Sequence, residues 1–190
     1  MEPGGSSLLP LHSYELEFLM SSTIIQIIGF AGLLFFVLSF QQRDRNKILL
    51  LMLIGQAIFL LHFILLGAWT AVGMNSVGMA RTIVFSYRDT RKWAAHIFWL
   101  PVFVLLFVAA GLLAGESWLG VLPVLAMSLE TTGLWMRNLR VLRIVNLFPH
   151  PFWFAYNLIK GSWAGVVCEI FVFTSIVVAI IRYDILRQKV

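Results

Sequence analysis

Polar residues come in short bursts along this chain, and the stretches between them are almost wholly apolar. The apolar runs fall at about 23–40, 48–66, 68–86, 94–114, 117–136, 141–159 and 162–182. Each is close to the roughly 20 residues that a tilted helix needs to cross the bilayer core. The pattern therefore predicts an all-α membrane protein with seven transmembrane helices. Two joints are very short, Gly67-Ala68-Trp69 and Gly161-Ser162-Trp163. They make the second and third spans, and the sixth and seventh, antiparallel neighbours.

Charge tests the count, because merging or splitting a run to give six or eight spans scrambles its alternation. Seven spans deliver Arg43, Arg45, Lys47, Arg88, Arg91 and Lys92 to one side, followed by Arg137, Arg140, Arg143, Arg182, Arg187 and Lys189. The other side receives Lys160, together with Glu2, Glu15, Glu17 and Glu116. Arg81 lies late in the third span, nearer the basic side. Cytoplasmic loops carry the excess of Lys and Arg, so the N-terminus is expected outside and the C-terminus in the cytoplasm.

Composition points the same way. The 190 residues are 60% hydrophobic and 12% charged, where a soluble domain averages about half apolar and about a quarter charged. That is too little charge to cover a globule, so the lipid bilayer is the expected partner. The net charge of +5 is scattered in small clusters that assemble no basic face, which argues against nucleic acid. The single cysteine, Cys168, excludes an intramolecular disulfide and a cysteine-based zinc site. The acidic N-terminal stretch lacks the basic start of a secretory signal, and residues 1–22 are expected to form a short extracytoplasmic tail.

Shifting the chain by 94 residues lays Gly67-Ala68-Trp69 on Gly161-Ser162-Trp163. The same shift pairs Val72 with Val166, Val84 with Val178 and Arg88 with Arg182. Residues 23–88 and 116–190 then form two triple-helix repeats, the second ending in a short cytoplasmic tail. Residues 89–115 form a linker helix between them. This three-plus-one-plus-three plan gives both repeats the same orientation, the parallel arrangement known from several transporters.

Ionisable groups inside a membrane are costly and mark candidate sites. Glu169 falls on Asn75 under the shift, so the two can face each other across a pseudo-twofold axis. A carboxylate there can bond a polar solute, pair a cation or carry a proton. His150 falls on Gln56, within the stretch LFPHPFW, and Pro149 and Pro151 flank it. The two prolines predict a kink, and a candidate hinge, in the middle of the sixth span, with freed carbonyls turned towards a cavity. His62 falls on Tyr156, and these two with Asn157 are expected along the same path. Trp69 and Trp163 are expected as interface anchors. Glu130 is expected to pair with an arginine at the basic end, such as Arg137.

No phosphate-binding glycine loop, zinc-protease helix or nucleophile elbow occurs in the chain. An enzyme, a cofactor and a metal site are therefore not expected. The histidines lack ligand spacing.

The whole chain resembles the YgjV-type family of bacterial inner-membrane proteins, chiefly through LSFQQRDRNKILLLMLIGQAIFLLHFILLGAWTAVGMNSVGMAR. That stretch also resembles the triple-helix unit of the MtN3/PQ-loop superfamily, which includes the SWEET and SemiSWEET sugar transporters and the KDEL receptor. The counterparts of that unit's landmarks are Gly29, Gln41-Gln42, Gly67 and the pocket asparagine Asn75. The resemblance implies a multi-pass protein of the bacterial inner membrane, built from two such units. Here Gln-Gln stands where the superfamily has Pro-Gln, and Glu169 stands where it has a second pocket asparagine. These departures point away from sugar. The expected function is transport of a small polar solute by rocking of the two repeats; the alternative is a receptor or assembly factor without a transport cycle. A homo-oligomer is compatible with either.

Overall fold

In hydrocarbon every backbone N–H and C=O has to be paired within the protein, and a helix does this inside a single segment. The computed structural model describes residues 9–115 and 118–186, with side chains from Ser22 onward, and these residues are helical with no strand among them. Helix α1 spans Leu9–Phe40, α2 Arg45–Leu66 and α3 Trp69–Ser86. Turns carry the chain to α4, Trp99–Leu113. A 3-10 turn at Trp118–Gly120 leads into α5, Val121–Trp135. Next come α6, Leu139–Val145, and α7, Pro149–Ile159. The chain ends in α8, Trp163–Ala179, which runs on into a π-helical turn at Ile180–Ile185.

Three of these boundaries depart from expectation. Helix α1 is described from Leu9, so helix extends ahead of the apolar run expected from residue 23; residues 1–8 lie outside the described residues. The fourth apolar run is helical only from Trp99, because residues 87–98 are taken up by successive turns. The sixth run is broken: α6 stops at Val145 and α7 starts at Pro149.

The proline stretch accounts for that break. Pro149 and Pro151 are the first and third residues of α7, among the four positions whose N–H groups have no partner within a helix. Neither proline removes a helical hydrogen bond, so the expected mid-span kink is a helix start instead. The turn ahead of it is closed by Asn146, Leu147 and Phe148, whose N–H groups donate to Leu142, Ile144 and Val145.

Six helices close a ring: α1 packs on α2, α2 on α3, α3 on α5, α5 on α7, α7 on α8, and α8 on α1. Helix α4 lies outside, against α3 and α5, with Phe103, Phe107 and Gly111 turned inward. Among the described residues, three stretches are long and apolar enough to cross a membrane: Ser22–Phe40, Arg45–Leu66 and Trp163–Ile185. Helix α4 is apolar but shorter.

Arginines lace one end of the ring. Arg45 donates to the carbonyls of Phe85 (3.0 Å) and Leu134 (2.9 Å), joining the last turns of α3 and α5. Arg88 donates to Trp135 O, and Arg143 to Asp184 (3.0 Å) and Gln42 O (3.1 Å). Cations at helix C-termini meet unpaired carbonyls and the negative end of the macrodipole.

The two short joints adopt one geometry at the other end. Gly67 has φ 70° and Gly161 φ 69°, a left-handed conformation that glycine adopts without penalty. Ala68 N–H donates to Phe63 O at 3.0 Å, and Ser162 N–H to Asn157 O at 2.9 Å. Trp69 and Trp163 are both 60% exposed, as residues anchoring at a membrane interface are.

Candidate functional site

Inside the ring lies a cavity of about 70 Å³. Helix α1 lends it Phe36 and Phe40; α2 lends Met52, Gln56, Phe59 and Phe63; α3 lends Asn75. From the other half come Met127 and Glu130 of α5, and Asn146 from the break. Helix α7 adds Pro149, His150, Trp153 and Asn157, and α8 adds Cys168, Glu169 and Val172.

The sharpest polar contact in this wall is between His150 and Glu169. The His150 Nδ1–H donates to Glu169 Oε2 at 2.6 Å, linking the first turn of α7 to α8. The two side chains also line a second hollow of about 240 Å³ on the outer side of these helices, with Phe154, Ile170 and Phe173. The pair thus borders both hollows.

Several amides face the cavity beside it. Asn75 donates its Nδ2 to Ala71 O at 2.9 Å, and Asn146 donates its own to Leu142 O at 2.7 Å, each one turn back on its own helix or the turn before it. The oxygens of Asn146 and Asn157 are buried with no hydrogen-bond partner among the described residues. An unsatisfied buried acceptor costs roughly 1–3 kcal/mol, so these two oxygens carry a cost within the wall of the hollow. Gln56 is held in place by Thr82, whose Oγ1 lies 3.0 Å from Gln56 Oε1.

Glycines let these side chains come close. A methyl added at Gly165 would fall 2.5 Å from Asn157 Cγ, and one at Gly78 would fall 3.1 Å from Gln56 Nε2. At Gly133 it would overlap the amide of Asn146. Small residues of this kind allow polar groups and backbones to meet across helices in a membrane.

Five of the seven residues expected along a solute path line this cavity: Gln56, Asn75, His150, Asn157 and Glu169. His62 and Tyr156 do not. His62 is fully buried nearer the joints, where Nδ1 donates to Ile25 O (2.8 Å) and Nε2 accepts from the Ser162 hydroxyl (2.9 Å). That pairing ties α1 and α2 to the joint before α8. Tyr156 packs edge-on against Trp153, with Lys160 Nζ 6.0 Å from its ring centre.

Glu130 pairs with Arg81 (3.3 Å), not with Arg137, whose partner is Asp89 (3.4 Å). The guanidinium of Arg81 is fully enclosed and also donates to Thr131 Oγ1 at 3.0 Å. Asn146 was missed because the sixth run reads as one unbroken span; an asparagine three residues before a proline is a turn signal that marks the break. Trp153 faces Phe63 in a stacked pair, ring centres 6.3 Å apart. It is a wall of the cavity, unlike Trp69 and Trp163.

Fold and site together define a helical membrane protein with a partly polar hollow among its helices. Residues 23–187 match the Imp-YgjV family, described as bacterial inner membrane protein. The chain belongs to that family and is a protein of the bacterial inner membrane. No curated protein and no solved structure matches it, so the likeness to the MtN3/PQ-loop unit rests on the residues quoted above alone.

Proposed function

We propose that this protein binds a small polar solute between two triple-helix units and moves it across the inner membrane. Seven spans, in a three-plus-one-plus-three plan, would place α1 to α3 in one unit and α5 to α8 in the other, with α4 as linker. The N-terminus would lie outside and the C-terminus in the cytoplasm.

One observation carries this reading. Six pairs of cavity-lining residues are related by the same 94-residue shift that relates the joints: Phe36 and Glu130, Met52 and Asn146, Gln56 and His150, Phe59 and Trp153, Phe63 and Asn157, and Asn75 and Glu169. A hollow lined by equivalent positions of two units lies on the axis between them. That is where transporters built from repeats place their substrate. The ring supports the same plan, since the neighbours of α1, α2 and α3 map in order onto those of α5, α7 and α8. Rocking of one unit on the other would expose the hollow to each side in turn, with the break around Pro149 and Pro151 as the hinge.

The test is uptake into proteoliposomes over a panel of polar solutes, with and without a pH gradient, comparing wild type with Glu169→Gln. At least one solute should accumulate above empty liposomes, and its uptake should fall by tenfold or more in Glu169→Gln. Background flux for every solute in the wild type rejects transport and favours a receptor or assembly factor.

A further inference from the structure

The basic end of the ring carries more positive charge than its carboxylates balance, and the excess gathers at one corner. Arg143, buried in the last turn of α6, builds that corner. Its Nη1 donates to both oxygens of Asp184 (3.0 and 3.1 Å), and its Nη2 donates to Gln42 O (3.1 Å). These bonds tie the turn after α1 to the π-helical turn that follows α8. Within that turn Asp184 is buried and Arg182 is exposed, with Tyr183 between them.

Three guanidiniums converge on the Tyr183 ring. Their carbons lie 4.8 Å (Arg43), 5.3 Å (Arg143) and 5.3 Å (Arg182) from its centre. Arg143 has Asp184 as its counter-charge. Arg43 and Arg182 are exposed, and among the described residues neither has a carboxylate within ion-pair distance. Asp44, next to Arg43, caps α2 instead, accepting from Lys47 N–H at 3.0 Å. The neighbouring arginines are balanced differently, since Asp89 lies between Arg45 (3.8 Å) and Arg137 (3.4 Å). A guanidinium stacked on a ring keeps its edge N–H groups for an anion, and its planar fork matches phosphate oxygens.

Depth in the membrane narrows the anion further. Arg43 follows the apolar stretch Ser22–Phe40 by three residues, and Arg182 lies in the last turn of Trp163–Ile185. Both stand where hydrocarbon gives way to headgroups. The flanking residues Leu38, Ile181, Ile185 and Leu186 expose between 42% and 57% of their surface, which suits acyl chains and gives a free phosphate ion nothing. We propose that this corner binds the phosphate of an anionic phospholipid. Arg43 and Arg182 donate to its oxygens, Tyr183 holds the two guanidiniums in place, and the acyl chains lie along the apolar flank. Basic pockets at helix ends bind headgroups in this manner. A zwitterionic lipid brings an ammonium to a corner that is already cationic, so the net charge of the headgroup decides. This site is on the rim and stands whether or not the cavity holds a solute.

The experiment is native mass spectrometry of the purified full-length protein in neutral detergent, titrated with phosphatidylglycerol, phosphatidylcholine or inorganic phosphate. Phosphatidylglycerol should bind at least about tenfold more tightly than phosphatidylcholine, and excess inorganic phosphate should not displace it. Arg43→Gln with Arg182→Gln should weaken phosphatidylglycerol by about tenfold or more, through the loss of two charge-assisted contacts. Arg91→Gln with Arg140→Gln removes the same charge from exposed positions at the same end and should leave binding within about twofold. All four arginines are exposed, so neither double variant disturbs the core. Tyr183→Leu, which keeps every charge, should still weaken binding several-fold. Equal binding of the two lipids, or no binding of either, overturns the proposal. Equal losses in the two double variants overturn it in favour of a diffuse charge effect. Displacement by inorganic phosphate overturns the lipid assignment and makes the corner a site for a soluble anion. Unchanged binding in Tyr183→Leu overturns the role given to the ring.

Discussion

Arg81 shows what a single buried charge asks of its surroundings. Its guanidinium is fully enclosed on α3 and has Glu130 at 3.3 Å, Thr131 at 3.0 Å and the Phe107 ring 5.6 Å from its carbon. Removing one partner strands the other charge, which costs about 3–5 kcal/mol, whereas replacing both by apolar groups of like volume is often neutral. Arg81→Met alone should therefore lower stability by about 3–5 kcal/mol, and Arg81→Met with Glu130→Met should recover most of the loss. Equilibrium unfolding in mixed micelles measures both; equal losses in the single and double variants would show that the pair contributes nothing of its own. The sequence marks both residues as ionisable groups in apolar runs. It gives Glu130 the wrong partner, because which arginine it meets depends on how α3 and α5 are rotated in the ring, and spacing along the chain carries no such information.

At the scale of elements, the stretch LFPHPFW turns from a defect into a beginning. Both prolines occupy positions in α7 where no helical hydrogen bond exists to lose, and Pro149 at the first position is preorganised for the helix. Pro149→Ala should change stability by less than about 1 kcal/mol, whereas Phe154→Pro, in the body of α7, should cost about 3 kcal/mol or more. The same micelle unfolding assay separates them, and a large loss in Pro149→Ala would return the proline to the middle of a continuous helix. The apolar runs are legible because burial in lipid leaves a composition that any window detects. The break was not, because Asn146 to Phe148 are three residues in a stretch that stays apolar on both sides. The two Gly-x-Trp joints were legible as joints, since only glycine takes their positive φ freely.

Over the whole molecule, the distribution of charge and the ring of helices make one statement about orientation. Arg45 and Arg88 reach the last turns of α3 and α5, and Arg143 the chain just past α1, at one end, and the Gly67 and Gly161 joints lie at the other. With Cys168 replaced by serine, a cysteine introduced as Lys160→Cys should react with a membrane-impermeant maleimide on intact spheroplasts. One introduced as Thr90→Cys should react only after permeabilisation. Labelling of Thr90→Cys on intact spheroplasts would reject the proposed orientation. The proposed shift of 94 residues, found from a handful of identities, also relates six pairs of residues that line the cavity. In the proposed plan, positions facing a shared axis repeat even where their residue types have diverged. His62 and Tyr156 are equivalent under that shift yet sit away from the hollow, since equivalence fixes a place in the unit and not a view of the axis.

The glycines beneath the amides also bear on how this protein can change over time. Asn146 lies over Gly133, Asn157 over Gly165, and Gln56 over Gly78. Enlarging Gly133 or Gly165 alone forces an overlap, enlarging Gly78 crowds Gln56, and shortening the amide alone leaves a hole over bare backbone. Each pair is thus a two-step lock on sequence drift, in which a neutral path needs both members to move. The chemistry of the cavity wall is held in place partly by residues that never touch its contents.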